Sequence, residues 1–181
     1  MGVRFGSVDV EARQGDITAQ DDCDAVVNAA NAQLMSGGGV AGAIHRAAGP
    51  GLEEECRPLA PIYPGQAVVT GGHRLPNPYV IHCLGPVYGV DEPAEELLAD
   101  CYRNALRLAD AQQMQCVAFP AIATGAFGYP MEPAARVAVG AIREVAPGLH
   151  SVRAVRFVLH APDALEVHER VLRELAGGER S

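Results

Sequence analysis

Short apolar runs rich in β-branched residues, set between longer helical patterns, constrain this chain more than any other feature. Residues 25–27, 66–70, 79–84, 116–120 and 152–159 each give a brief run of this kind that stops at turn-forming residues. That is the signature of strands buried on both faces. The stretch 3–13 alternates loosely and reads as a strand or strand pair before the turn Gln14-Gly15-Asp16. Helical patterns lie between the runs. Residues 40–48 are Ala-rich and stop at Gly49-Pro50, a second helical piece follows at 52–56, and Leu97, Leu98, Cys101, Tyr102, Ala105, Leu108 and Ala109 recur at three- and four-residue steps. Two further helices carry Val137, Ala141, Ile142 and Val145, and then Leu165, Val171, Leu172 and Leu175. Such alternation predicts an α/β fold with a central, at least partly parallel sheet and helices on both faces. The 66–70 and 79–84 strands both read as central.

With 181 residues, 49% of them hydrophobic and 20% charged, the expectation is one domain over 1–181, burying roughly two-thirds of its unfolded surface. The net charge is −8, and all 14 basic residues are Arg. Without Lys there is no phosphate-loop lysine, no Schiff-base amine and no lysine base. No basic run offers itself to duplex nucleic acid, which is therefore not an expected partner. A small anion would be held by backbone N–H groups, helix N-termini or a few Arg. Cys23, Cys56, Cys83, Cys101 and Cys116 are odd in number and show no C-x-x-C pair. They read as reduced core thiols of a cytoplasmic protein. Neither a secretion signal nor a membrane span is expected, because the first residues lack a basic-then-apolar pattern and no apolar stretch nears 18 residues.

In sheets of this type ligands sit beyond the carboxyl ends of the strands. Two loops there carry chemistry. The first runs from Asn28 through Asn31 to Gly37-Gly38-Gly39, just before a helix. Its glycines let the backbone approach a phosphate at a helix N-terminus, and its carboxamides both donate and accept, which suits a sugar diol. Glycines alone more often serve as a plain strand-to-helix turn, and the asparagine pair shifts that balance. Gly37, Gly39 and Gly42 match G-x-G-x-x-G, but nine residues separate the strand from the first glycine and no acidic residue ends a strand about 20 positions on. A nicotinamide or flavin site is excluded on those grounds. The second loop, Thr124-Gly125-Ala126-Phe127-Gly128-Tyr129, also lies between strand and helix. Two anion-friendly loops suggest a diphosphate. Phe127 has two readings, stacking on a sugar or base and packing in the core. Asp16 likewise either accepts from an exocyclic amine or forms a turn before a short helix.

Val27-Asn28-Ala29-Ala30-Asn31, Gly37-Gly38-Gly39-Val40, His45-Arg46-Ala47-Ala48-Gly49, Leu84-Gly85-Pro86 and Ala123-Thr124-Gly125-Ala126-Phe127-Gly128-Tyr129-Pro130 resemble the macrodomain family, in particular its bacterial ADP-ribose-hydrolysing branch. The resemblance implies a three-layer α/β/α domain with a mixed sheet and a cleft for ADP-ribose. It implies Asp16 on the adenine amine with Ile17 lending its backbone, Asn31 on the distal ribose with Asn28 supporting that loop, and Phe127 beside the same ribose. Gly37, Gly38, Gly39, Val40 and Ala41 would wrap one side of the diphosphate and Ala123, Thr124, Gly125, Ala126 and Phe127 the other, with His160 nearest the adenine. The hydrolytic relatives commonly carry Asp where this chain has Ala41, an Asp assigned to water activation. Viral-type relatives share the Gly-Gly-Gly-Val-Ala-Gly form, and there substrate-assisted activation of a bound water by the diphosphate has been proposed.

The resulting expectation is a hydrolase of mono-ADP-ribosyl adducts, either acidic side-chain esters or O-acetyl-ADP-ribose, with Asn31, His45 and Phe127 as the catalytic set. His45, four residues after Ala41, falls on the same helix face and is expected to orient the water or the ribose; His82, in an apolar strand, reads as structural. Two alternatives stand beside it: a module that binds ADP-ribose without turnover, favoured by Ala41, and a nucleotide-binding domain of another kind, for which a preference for NAD over ADP-ribose would speak. No His and carboxylate cluster has metal-ligand spacing, so neither metal nor cofactor is expected. The expected partners are ADP-ribose or an ADP-ribosylated protein, met by a monomer away from any membrane.

Overall fold

The computed structural model describes residues 2–178. A hairpin of β1 (Gly2–Phe5) and β2 (Val8–Gln14) opens the chain, turning at Gly6, whose φ of 59° suits a residue without Cβ. A short 3₁₀ turn (Ile17–Ala19) leads to β3 (Ala25–Ala29), then α1 (Gly39–Ala48) and α2 (Pro50–Cys56). Next come β4 (Ala67–Gly71), β5 (Tyr79–Cys83), α3 (Ala94–Ala111), β6 (Cys116–Phe119), α4 (Met131–Val145), β7 (Ala154–Leu159) and α5 (Pro162–Gly178).

The strands form one seven-stranded sheet in the order β1-β2-β7-β6-β3-β5-β4. β2, β7, β6, β3 and β5 run parallel, and only the edges, β1 and β4, pair antiparallel. Side-chain alternation splits the core in two. Val27, Ile81, Val117, Phe119, Val155 and Phe157 pack with α3, α4 and α5, including Leu98, Tyr102, Val139 and Val171. Val26, Val80, Ala118 and Val158 pack with Ile44, Leu52 and Cys56 of α1 and α2. This is the three-layer α/β/α fold with a mixed sheet. Each large apolar side chain so buried contributes about 1.5–3 kcal/mol.

The structure corrects two sequence expectations. β4 is an edge strand: its one ladder partner is β5, and Ala67, Val68 and Val69 are only half-buried. An apolar run records that both faces of a strand meet other residues, not how many strands flank it. The outer side of this edge is occupied at its Gly71 end, where the Gly71 N–H donates to the Glu55 carboxylate at 3.1 and 3.3 Å and His73 Nε2 lies 2.7 Å from the same carboxylate.

The second correction concerns the thiols. Cys23 and Cys116 are paired as a disulfide with Cα atoms 4.7 Å apart, while Cys56, Cys83 and Cys101 are free and buried. Cys23 precedes β3 and Cys116 opens β6, neighbours that align Ala25 with Val117. Sheet topology closes a 93-residue separation that spacing in the sequence cannot reveal. The reducing compartment inferred from five free thiols loses that premise.

Tyr102, Phe119 and Phe157 form an aromatic nucleus with centroids 4.9 to 6.4 Å apart. The fully buried Tyr102 hydroxyl leaves this nucleus for the loop after β6, donating to the Pro120 carbonyl at 3.4 Å and accepting from the Ile122 N–H at 3.3 Å. It thereby ties α3 to the second loop picked out from the sequence. Tyr102→Phe keeps the ring and leaves two buried backbone groups unpaired, so a loss of about 1–3 kcal/mol is expected in urea unfolding, with faster amide exchange at Ile122.

Candidate functional site

Parallel pairing brings the carboxyl ends of β2, β7, β6, β3 and β5 to one edge of the sheet. Asp16 follows β2, His160 follows β7, residues 123–127 follow β6, and Asn28, Asn31 and the glycines sit at the end of β3 and beyond. In sheet order these groups are neighbours, so the residues chosen from the sequence share one rim. Ile17, Asn28, Ala41, His45 and Ala123 lie buried behind it.

Asp16 is exposed and caps the 3₁₀ turn, its Oδ1 accepting from the Thr18 N–H at 2.9 Å and the Thr18 hydroxyl at 2.7 Å. Of the two readings of this residue, the turn-capping one therefore describes the free protein, and it leaves Oδ2 outside the cap. These hydrogen bonds hold the Asp16 carboxyl below its ordinary pKa, and nearby His160 assists. Ile17 beside it is buried. His160 is exposed, and its carbonyl accepts from Gln14 Nε2 at 3.2 Å.

After β3 the chain makes a nine-residue connection, 30–38, before α1. Asn31 organises it: Oδ1 accepts from the Met35 N–H at 3.0 Å and Nδ2 donates to the Met35 carbonyl at 2.8 Å. A carboxamide has two donors and two lone pairs, so one of each remains. Leu34, buried with a φ of 57°, turns the loop. Gly37, Gly38 and Gly39 are exposed, and a Cβ at Gly38 or Gly39 would meet nothing within 4 Å. Helix α1 has Gly38 as its N-cap with no side-chain cap, which leaves the first-turn N–H groups open to an anion. Gly42 packs against the Gly37 carbonyl, leaving no room for a Cβ. That contact, rather than a dinucleotide fingerprint, accounts for the third glycine.

The second loop is built largely by its own backbone. Gly128 N–H donates to Gly125 O at 3.0 Å, Tyr129 N–H to Ala123 O at 2.9 Å, and the Thr124 hydroxyl to Ala121 O at 2.9 Å. Ala123 takes a φ of 70°. Gly125 and Ala126 are exposed, while half-buried Phe127 packs against both apolar layers. Its carbonyl accepts from the Tyr88 N–H at 2.8 Å. Met35 and Tyr88 carry no sequence signal for their places in these loops, since both act through main-chain atoms that any residue type supplies.

Behind the first loop lies a buried polar chain. Asn28 and His82 face each other in the β3–β5 register, with Asn28 Nδ2 3.1 Å from His82 Nδ1 and Thr70 Oγ1 2.9 Å from His82 Nε2. Because Nδ2 can only donate, Nδ1 accepts and Nε2–H donates to Thr70, whose hydroxyl passes on to Gly71 O at 3.1 Å. His82 is thus structural, as expected, and it is the partner of Asn28. Burial, with a smaller contribution from His45, pushes the His82 pKa down to about 3. Ala41 is buried. His45 is 7% exposed, with Nε2 enclosed and unpartnered; burial lowers its pKa, opposed by Glu53. Among the described residues no group of three His, Cys, Asp or Glu side chains could hold a metal ion.

The profile of the Macro domain family matches residues 27–138. A macro domain-containing protein of Chlorobaculum tepidum is 46% identical over 164 residues, which cover 90% of this chain and 95% of that protein. A protein of Citrobacter rodentium named O-acetyl-ADP-ribose deacetylase is 46% identical over 163 residues, 87% of this chain and 92% of its own length. Among solved structures, an Oceanobacillus iheyensis macrodomain with ADP superposes with a TM-score of 0.94 at 35% identity, covering 98% of this chain and 97% of that one. A Trypanosoma brucei macrodomain in complex with ADP-ribose gives 0.82 at 36% identity, covering 89% and 68% respectively.

Neutral, buried His82 yields a pH prediction. Its folded pKa of about 3 lies below the 6.5 of an unperturbed histidine, so the unfolded chain takes up a proton that the folded one refuses. The stabilisation is complete above pH 6.5 and is lost as pH falls toward 3, by about 1.4 kcal/mol per unit. His45 and His168, also pushed down by burial, add in the same direction. Urea midpoints between pH 7 and pH 4.5 are expected to fall, and His82→Asn is expected to flatten that slope by about one proton.

Proposed function

Because the chain belongs to the macrodomain family, we propose that it binds ADP-ribose along the carboxyl edge of its parallel strands and hydrolyses mono-ADP-ribosyl adducts, either acidic side-chain esters or O-acetyl-ADP-ribose. The observation that carries the binding reading is the pair of loops after β3 and β6, rich in exposed glycine and alanine, with no side-chain cap on α1 or α4. Backbone amides there answer a diphosphate in a protein that has no lysine to offer. The solved relatives holding ADP or ADP-ribose support the ligand. The relative named O-acetyl-ADP-ribose deacetylase supports the hydrolytic part.

In this reading Asp16 accepts from the adenine amine through the oxygen outside its cap, Ile17 offers its N–H, and His160 lies nearest the base. Gly37 through Ala41 and Ala123 through Phe127 close on the diphosphate from opposite sides. The distal ribose rests between Phe127 and the remaining donor and acceptor of Asn31, with Asn28 and His82 bracing the loop from within. A water attacks the adduct and the ester bond breaks, giving an ADP-ribose alcohol and a free carboxylic acid. Ala41 supplies no acceptor for the water's proton, so a diphosphate oxygen of the substrate takes it. His45, kept neutral by burial, orients the site from beneath α1, and no proton transfer is assigned to it.

Ala41 also favours a second reading, a module that holds ADP-ribose without turnover. Calorimetry with ADP-ribose tests the shared part: saturable one-to-one binding is expected, and none would end both readings. Single-turnover release from a mono-ADP-ribosylated acidic protein and from O-acetyl-ADP-ribose separates them, since release by the unmodified protein requires the hydrolase. Asn31→Ala is expected to lower that release about 100-fold while weakening ADP-ribose binding far less. Ala41→Asp, which installs a proton acceptor, is expected to raise release by about 100-fold or more; activity found only in that variant identifies the non-catalytic module.

A further inference from the structure

Arg156 is a buried charge in the middle of β7, 7% exposed. Such a residue is costly unless it is paired, and here four of its five N–H donors have partners. Nε donates to Glu11 at 2.9 Å, Nη1 and Nη2 grip the two Asp22 oxygens at 2.7 Å each, and Nη1 also donates to Gln20 Oε1 at 2.9 Å. The guanidinium beside it holds the Asp22 carboxyl at about 2.

The bond to Gln20 has a directional consequence. A guanidinium has only donors, so the Gln20 carboxamide must present its oxygen to Arg156 and its nitrogen the other way. That nitrogen donates to the Asp16 carbonyl at 2.8 Å. Gln20 is itself 6% exposed, and its own carbonyl accepts from Asn77 Nδ2 at 2.6 Å. From the other side, the Gly15 N–H donates to Leu159 O at 3.0 Å. The Asp16 main chain is therefore held before and behind, and Thr18 takes one carboxylate oxygen.

We propose that Gln20, polarised by Arg156, is a positioning residue that aims the Asp16 carboxylate at the exocyclic amine of a purine and so sets the base selectivity of the site. This rests on the reading that Asp16 meets the adenine of ADP-ribose. Neither Gln20 nor Arg156 touches the nucleotide; the selectivity is transmitted along the chain Arg156, Gln20, Asp16.

Calorimetric affinities for ADP-ribose and for IDP-ribose, in which an oxo group replaces the amine, test this as a ratio. The unmodified protein is expected to prefer ADP-ribose by about tenfold or more. Gln20→Glu retains the acceptor for Arg156 and loses the donor to Asp16, and Gln20→Ala loses both. In either variant the preference is expected to fall to within about threefold of unity. Arg156→Lys, which keeps the charge and loses the fork, is expected to fall between. Thermal unfolding of each variant registers any loss of structure separately. A purely structural role would weaken both nucleotides by one factor, and an unchanged ratio in the variants overturns the proposal. An unmodified protein that binds the two nucleotides equally overturns it while leaving ADP-ribose binding intact. One that binds neither overturns the functional reading as well.

Discussion

Parallel pairing of five central strands is the constraint on which everything else in this molecule depends. A parallel ladder needs a crossover for each strand, and with every strand pointing the same way all the outgoing connections leave from one edge. Four segments far apart in the chain, after β2, β3, β6 and β7, are thereby gathered along one rim. Reversing any inner strand would send its loop to the opposite end. The antiparallel strands fall only at the two edges, where they finish the sheet without disturbing that arrangement.

The rim is made of main chain more than of side chains. Gly42 against the Gly37 carbonyl brings helix α1 and the first loop into direct contact. Leu34 and Ala123 hold left-handed conformations, one in each loop, at about 1–3 kcal/mol apiece. Buried packing of Leu34 and the hydrogen bonds around Ala123 offset that strain. Amides fixed in this way need no reorganisation to meet an anion, and the first loop receives further bracing from the Asn28, His82 and Thr70 chain. The sheet thus supports the site with polar groups inside its own core.

Much of this was legible in the sequence, and the exceptions share a cause. Apolar runs located β3 to β7, loose alternation marked the stretch that holds β1 and β2, and the carboxamides and glycines located both loops, because these signals are local. The edge position of β4, the pairing of Cys23 with Cys116, the inward orientation of His45 and the locking of Asn31 by Met35 all depend on what lies across from a residue once the chain has folded. Arg156 illustrates the limit. In the sequence it interrupts an apolar strand without explanation, and only the contacts with Glu11, Gln20 and Asp22 supply one.

The carboxylate of Glu55, anchored by His73 and seated on the Gly71 amide, bears on how molecules of this protein meet one another. An open sheet margin is a template onto which a foreign strand can zip, and self-association commonly begins there. At Gly71 an intruding strand would first have to evict a charged group, exchanging a carboxylate acceptor for the weaker carbonyl of its own main chain. The sheet can therefore remain unclosed along β4 while its end resists growth into a fibre.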